Sequence, residues 1–197
     1  NILCPLVDAG TLSGAISAKI CDELGIQPIP AIAVAEHDTG SAVVSVPAAD
    51  EDFVYISSGT WSLMGIESQK PLIDEKTFGY NFTNEGGYGR TTRFLKNIMG
   101  LWLIQESRRQ WIREGGNPSY ADLEREALAS RPFACFIDPD DPSLGAPGDM
   151  PGRIRELCRK SGQYVPTTRG EIVRCIYESL ALKYRVTKDQ IEEISGK

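Results

Sequence analysis

Apolar side chains fall along this chain in short stretches whose period changes several times, and each change marks an element. From Ser13 to Gly25 the apolar positions Ile16, Ile20 and Leu24 recur every four residues with Gly25 as a stop, which predicts a short amphipathic helix. Pro28 and Pro30 then enforce an extended stretch. Ala31 to Ala35 is an apolar run suited to a buried strand, and it breaks off into Glu36-His37-Asp38-Thr39-Gly40. Small residues from Thr39 to Val46 fit a helix capped by Asp38 or Thr39, after which the polar connection Pro47 to Asp52 reads as a domain boundary. Phe53 to Ser57 and Trp61 to Ile66 predict a β-hairpin turning on Ser58-Gly59-Thr60. A third strand is expected around Tyr80 to Thr83, followed by the glycine turn Asn84-Glu85-Gly86-Gly87.

The second half reads mostly as helix. Phe94, Leu95, Ile98, Leu101, Trp102 and Ile112 follow helical spacing between Thr91 and Arg113, ended by Gly115-Gly116, and a shorter helix is predicted over Tyr120 to Ala129. Phe133 to Ile137 reads as a strand and Asp138 to Gly148 as a Pro, Asp and Gly-rich loop. Two helices close the chain. One runs from Asp149 or Met150 to Lys160, and the other starts at Thr168, with Glu171 completing a capping box, and runs through Tyr184.

Charge and cysteine usage narrow the function. The 197 residues carry 21 Lys and Arg against 27 Asp and Glu, a formal charge of -6 that argues against a nucleic-acid surface. No stretch approaches the roughly 20 apolar residues of a membrane span, and Asn1 to Asp8 lack the charged start of a signal peptide, so a cytoplasmic protein with neither nucleic-acid nor membrane partner is expected. Cys4, Cys21, Cys135, Cys158 and Cys175 form no CxxC pair and have no His cluster at zinc-ligand spacing, so no structural metal is expected. Cys158 and Cys175 lie on successive helices and are expected to be near each other, buried and reduced. With a single histidine, carboxylates are the better acid/base candidates.

Asp38 follows an apolar strand and precedes a helix, where α/β proteins present functional groups to a crevice; it either caps the helix or accepts a hydroxyl proton. His37 beside it has the same two readings, structural or catalytic. Ser57-Ser58-Gly59-Thr60 is either an ordinary turn or a set of backbone N–H groups able to cradle phosphate oxygens. Asn97, Leu101 and Gln105, spaced by four, share one stripe of the predicted long helix, where the two amides face either solvent or a polyhydroxylated ligand or nucleotide. Arg108, Arg109 and Arg113 are expected on a solvated face, paired with Glu106 and Glu114.

Four stretches occur in a telling order: Glu36-His37-Asp38-Thr39-Gly40-Ser41-Ala42-Val43, Ile56-Ser57-Ser58-Gly59-Thr60-Trp61-Ser62-Leu63, Thr83-Asn84-Glu85-Gly86-Gly87 and Leu95-Lys96-Asn97-Ile98-Met99-Gly100-Leu101-Trp102. Together they resemble the rhamnulokinase group of the FGGY carbohydrate kinase family, in register from about residue 30 to 113 and more loosely to the end. The resemblance implies an α/β protein of the ribonuclease-H-like, actin-like ATPase fold, two domains around a cleft that closes on its ligands. It implies ATP-dependent phosphorylation of the 1-hydroxyl of L-rhamnulose, with Asp38 as general base, His37, Thr39 and Asn97 on the sugar, and Thr60 and Gln105 on ATP. Residues 1–48 would be the tail of the N-terminal domain and 49–197 an incomplete C-terminal domain. No Asp-Gly-Thr triplet, the family's phosphate and Mg2+ motif, occurs in the chain, and no glycine-rich adenine segment follows, so Mg2+ is expected mainly on residues outside this sequence. A fragment, inert alone and prone to self-association, is expected. Gly40 stands where many relatives have Ala. An L-fuculokinase-like deoxy-sugar kinase and a non-catalytic sugar-binding module remain as alternatives.

Overall fold

The computed structural model describes residues 2, 5–35, 37–50 and 52–196; the predicted first cysteine, Cys4, and Glu36 lie outside them. The chain divides into two compact units. Residues 1–55 with 65–95 form the first, and residues 56–64 with 96–197 the second, with β-strands running covalently from one to the other.

In the first unit β1 (Leu12–Ala15) pairs antiparallel with β2 (Pro30–Ile32), in the register Leu12 to Ile32 and Ala15 to Pro30. The helix predicted from Ser13 is therefore shorter, α1 (Ala18–Leu24): the residues before Ser17 go into the strand, while Gly25 ends the helix in the left-handed conformation as expected. α2 (Asp38–Val44) follows. Farther on come β3 (Tyr55–Ser58), β4 (Trp61–Ser68), a short helix α3 (Glu75–Gly79) that periodicity did not reveal, β5 (Thr83–Gly86) and β6 (Thr92–Met99). β3 to β6 form one sheet in the order β3-β4-β6-β5, with β5 antiparallel to β6. The third strand thus lies at 83–86 instead of 80–83: Asn81 takes a left-handed φ of 59° that a strand cannot hold.

The largest correction concerns residues 91–113. Their first part is not helix but β6, buried along almost its whole length, and only α4 (Trp102–Arg113) is helical. A strand enclosed on both faces loses its polar alternation, so Phe94, Leu95 and Ile98 satisfied a helical period by coincidence. Asn97 and Gln105 therefore do not share a helix face.

The second unit is built by α4, α5 (Tyr120–Ala129), α6 (Met150–Lys160) and α7 (Arg169–Ser195), with α5 packed on α7 and α4 on α6. Ile98, Leu103, Leu123, Leu144, Met150, Ile154, Ile172, Ile176 and Ile191 are at most 1% exposed. The predicted caps hold: Asp149 starts α6, and the Thr168/Glu171 box starts α7, which continues well past Tyr184. The strand expected at 133–137 is absent. Phe133 has φ 54°, and the backbone N–H groups of Phe133, Phe136 and Ile137 donate to side chains of Glu178, Gln163 and Ser179 instead of to a neighbouring strand.

Candidate active site

The sugar-side candidates of the first unit stand at the start of α2. His37, in extended conformation, is the N-cap: the Thr39 N–H donates to its Nδ1 at 3.2 Å and to Asp38 Oδ1 at 2.7 Å. The expected cap, Asp38 or Thr39, is thus replaced by the imidazole one residue earlier. Asp38 becomes the first helical residue, its side chain 97% exposed, while Thr39 is buried. His37 Nδ1 and Asp38 Oδ1 are 3.1 Å apart. A Cβ on Gly40 would come 2.6 Å from the Ala35 carbonyl oxygen and 3.4 Å from the guanidinium carbon of Arg93, so an alanine here is no minor change in this chain: the Ala35 backbone would have to shift. Arg93 is buried, paired with Glu85 at 3.0 Å and donating through Nε to the Gly86 carbonyl, which fixes the floor under that helix turn.

The nucleotide-side candidates belong to the second unit, and there the fold brings together residues 45 positions apart. Thr60, at the exposed tip of the β3–β4 hairpin, donates its hydroxyl to Gln105 Oε1 at 3.2 Å. The same tip holds the start of α4 by its backbone: Leu101 N–H donates to the Gly59 carbonyl and Trp102 N–H to that of Thr60, each at 3.0 Å. Two of the helix's unpaired N-terminal donors are thereby used on protein carbonyls. A β-carbon at Gly100 would collide with Ser62 Oγ and lie 2.8 Å from Ser62 N and 2.9 Å from the Gly59 oxygen, so only glycine permits this junction of β6, hairpin and helix. Asn97 is the exposed position in a strand otherwise buried from Arg93 to Met99, and its neighbours are locked: Met99 N–H donates to Asp140, which with Asp138 holds Lys183.

The expected pairing of Arg109 and Arg113 with Glu106 is present, but its setting differs from the expectation. Glu106, beside Gln105, is 1% exposed instead of lying on a solvated face. Burial alone would raise its pKa, but hydrogen bonds from Arg109, the Gly148 N–H and Arg113 outweigh it and hold the carboxyl below its ordinary value. Arg108 instead donates to the Pro118 carbonyl and lies over the Tyr120 ring. Spacing shows that Glu106 and the arginines share a face; it cannot show that Gly148 closes over it.

Residues 54–197 match the model of the FGGY family of carbohydrate kinases, C-terminal domain, and the chain belongs to that family. It also shares the α/β, ribonuclease-H-like, actin-like fold of solved sugar kinases. The xylulose kinase from Rhodospirillum rubrum superposes with a TM-score of 0.59 over 96% of this chain and 37% of that one, at 16% identity, and a xyloylose kinase from Brucella ovis with 0.55 over 95% and 37%, at 14%. At such identities the likeness speaks for the fold alone. Similar curated proteins include the rhamnulokinases of Bacteroides thetaiotaomicron, 50% identical over 186 residues (94% of this chain, 38% of that protein), Enterococcus faecalis, 41% over 191 residues (97% and 38%), and Bacillus subtilis, 37% over 193 residues (98% and 39%). The chain therefore spans well under half the length of the curated relatives it matches. No described helix is long and apolar enough to cross a membrane.

Proposed function

We propose that this chain is part of an ATP-dependent, cytoplasmic rhamnulokinase that phosphorylates the 1-hydroxyl of L-rhamnulose with Asp38 as general base. The observation that carries this reading is the likeness to rhamnulokinases over nearly the whole chain. On it, residues 1–48 close the N-terminal domain and residues 49–197 open the C-terminal one. The Asp38 carboxylate takes the proton of the sugar 1-hydroxyl as that oxygen bonds to the γ-phosphorus of ATP, and the bond to the bridging oxygen breaks to release ADP. Asp38 suits the part because its side chain is almost fully exposed, with one carboxylate oxygen accepting the Thr39 N–H and the other open. His37, Thr39 and Asn97 hold the sugar. Thr60 and Gln105, tied to each other, meet the nucleotide, and the rigid junction at Gly100 keeps them aligned.

The kinase family implies a divalent metal accompanying ATP, whose ligands are expected mainly outside the described residues. Among them, the group of three or more metal-competent side chains that converges is Cys135, Cys158 and Cys175, whose sulfur donors do not suit the oxygen-seeking Mg2+.

The test is sugar-dependent ADP release by the intact kinase, with L-rhamnulose, L-fuculose and D-xylulose compared and the product located by phosphorus NMR. Turnover fastest with L-rhamnulose and phosphate on its 1-oxygen is expected. Preference for L-fuculose would move the assignment to that sugar, and absence of ADP release with any of them would leave a binding module. The isolated 197-residue chain is expected to be inert and to self-associate through its uncovered apolar side chains; a concentration-independent monomer in sedimentation would contradict the latter.

A further inference from the structure

Cys135, Cys158 and Cys175 come from three separate elements, the loop after α5, the last turns of α6 and the first half of α7. Their three Sγ atoms all lie within 4.8 Å of one another, and each residue is at most 3% exposed. All three are free thiols. We propose that this cluster is a three-coordinate, all-sulfur site for a soft, thiophilic metal ion, of which monovalent copper is the representative.

The donor set selects the class of ion. Three sulfurs with no carboxylate or imidazole among them leave hard, oxygen-seeking cations without ligands. A structural zinc site is closed by four donors, and the group here supplies three. The Ser179 hydroxyl lies 4.0 Å from Cys175 Sγ and already accepts the Ile137 N–H at 3.0 Å, so it is held by the scaffold and not turned to a metal. Soft thiolate ligands in low coordination number suit monovalent copper.

The scaffold is already fixed around the sulfurs. Two of them sit on packed helices. The loop carrying the third is clamped by Gln163, which accepts from the Phe136 N–H and donates to the Phe136 carbonyl, each at 2.9 Å, and by the Ile137 N–H to Ser179 contact. Metal–sulfur bonds of about 2.3 Å place three sulfurs around one ion about 4.0 Å apart. Contraction from the present spacing by less than about 1 Å forms the site, within reach of χ1 adjustment. Binding is ligand substitution without electron transfer: each thiol that becomes a thiolate ligand gives its proton to solvent, and the ion gives up its previous ligand.

The test is anaerobic titration of the reduced intact kinase with acetonitrile-ligated Cu(I), in competition with a bicinchoninate chelator, followed by X-ray absorption. One Cu(I) per chain with three sulfur neighbours is expected. Cys135→Ala, Cys158→Ala and Cys175→Ala should each weaken binding at least ~100-fold, beyond the 10–100-fold that outer ligand partners usually control, while Cys21→Ala leaves it intact. Should a variant fail to fold, the sulfur count in the unmodified protein decides. Two or fewer sulfur neighbours, no one-to-one uptake, uptake unchanged in all three variants, or a Cys158–Cys175 disulfide that persists in the reductant used would overturn the proposal.

Discussion

Residues 5–50 and residues 96–196 both carry apolar side chains in patterned runs, yet they treat them oppositely. In the earlier region both strands of the β1–β2 pair are exposed throughout, with Leu12 65% and Ile32 58% exposed, and Val34 just beyond β2 is 66% exposed. In the later region Leu103, Ile104, Leu123, Ile154, Ile172 and Ile176 of α4 to α7 are at most 2% exposed, while Leu128, Leu182 and Val186 on the outer faces of these helices stay exposed. A pattern dictates which face an element hides, but only a neighbour of the right shape hides it. The catalytic candidate Asp38 stands in the first, uncovered region and the Thr60–Gln105 pair in the second, covered one. Chemistry and stability are therefore expected to separate when the two regions are mutated.

The largest expected effect tests the covered region. Ile176→Ala should destabilise the chain by about 2–5 kcal/mol, the cost of removing most of a fully buried side chain and leaving its cavity, whereas Ile32→Ala should cost under about 0.5 kcal/mol. Denaturant unfolding of the 197-residue chain measures both. Repeating Ile32→Ala in the intact kinase sharpens the contrast, since a loss there comparable to Ile176→Ala would show that the rest of the protein covers β2.

Next is Asp38→Asn, for which turnover in the intact kinase should fall roughly 100-fold or more while the melting temperature stays within a degree or so. The two readouts part because the cap is His37. Near-normal turnover with a lowered melting temperature would make Asp38 a structural residue and end the base assignment.

Smaller, and different in kind, are the binding residues. Asn97→Ala should raise the KM for sugar about tenfold and leave that for ATP nearly unchanged, and Thr60→Ala should act on ATP or on turnover, each at the scale of one lost hydrogen bond of about 1–1.5 kcal/mol. Steady-state kinetics with each substrate varied in turn would show it; the opposite pairing of defects would exchange the two roles.

The smallest effect concerns pH. The Thr168 N–H, joined by the Tyr164 hydroxyl and the Thr167 N–H, outweighs burial and holds Glu171 down at about 2 from an ordinary 4.5. A carboxylate depressed in the folded state stabilises fully above its unfolded pKa and loses that contribution as pH falls through the folded one. Wild type should therefore exceed Glu171→Gln by a few tenths to about 1 kcal/mol above pH 4.5. The gap should close on acidification toward pH 2. A gap that is flat across this range in thermal melts would show that Glu171 contributes by shape and not by charge.

Local chemistry was legible wherever an element carries its own signal. Thr168 with Glu171, Asp149 before α6, Ser58-Gly59-Thr60 at a hairpin and Gly25 behind α1 can be read from spacing, because a cap or a tight turn is completed within a few residues. The family was legible too, since its four motifs keep their order along the chain. What spacing could not settle is whatever depends on a distant partner. Residues 92–99 become a strand because β4 and β5 flank them, and Gly100 ends that strand because Ser62 and Gly59 leave no room for a side chain. His37, not Asp38, takes the cap by the way its ring turns back over the Thr39 N–H. Thr60 meets Gln105, and Cys135 joins Cys158 and Cys175, across gaps no local rule spans. Hydrogen bonds and burial between remote segments exist only once the chain has paid the entropy of bringing them together, and that outcome is a property of the assembled fold.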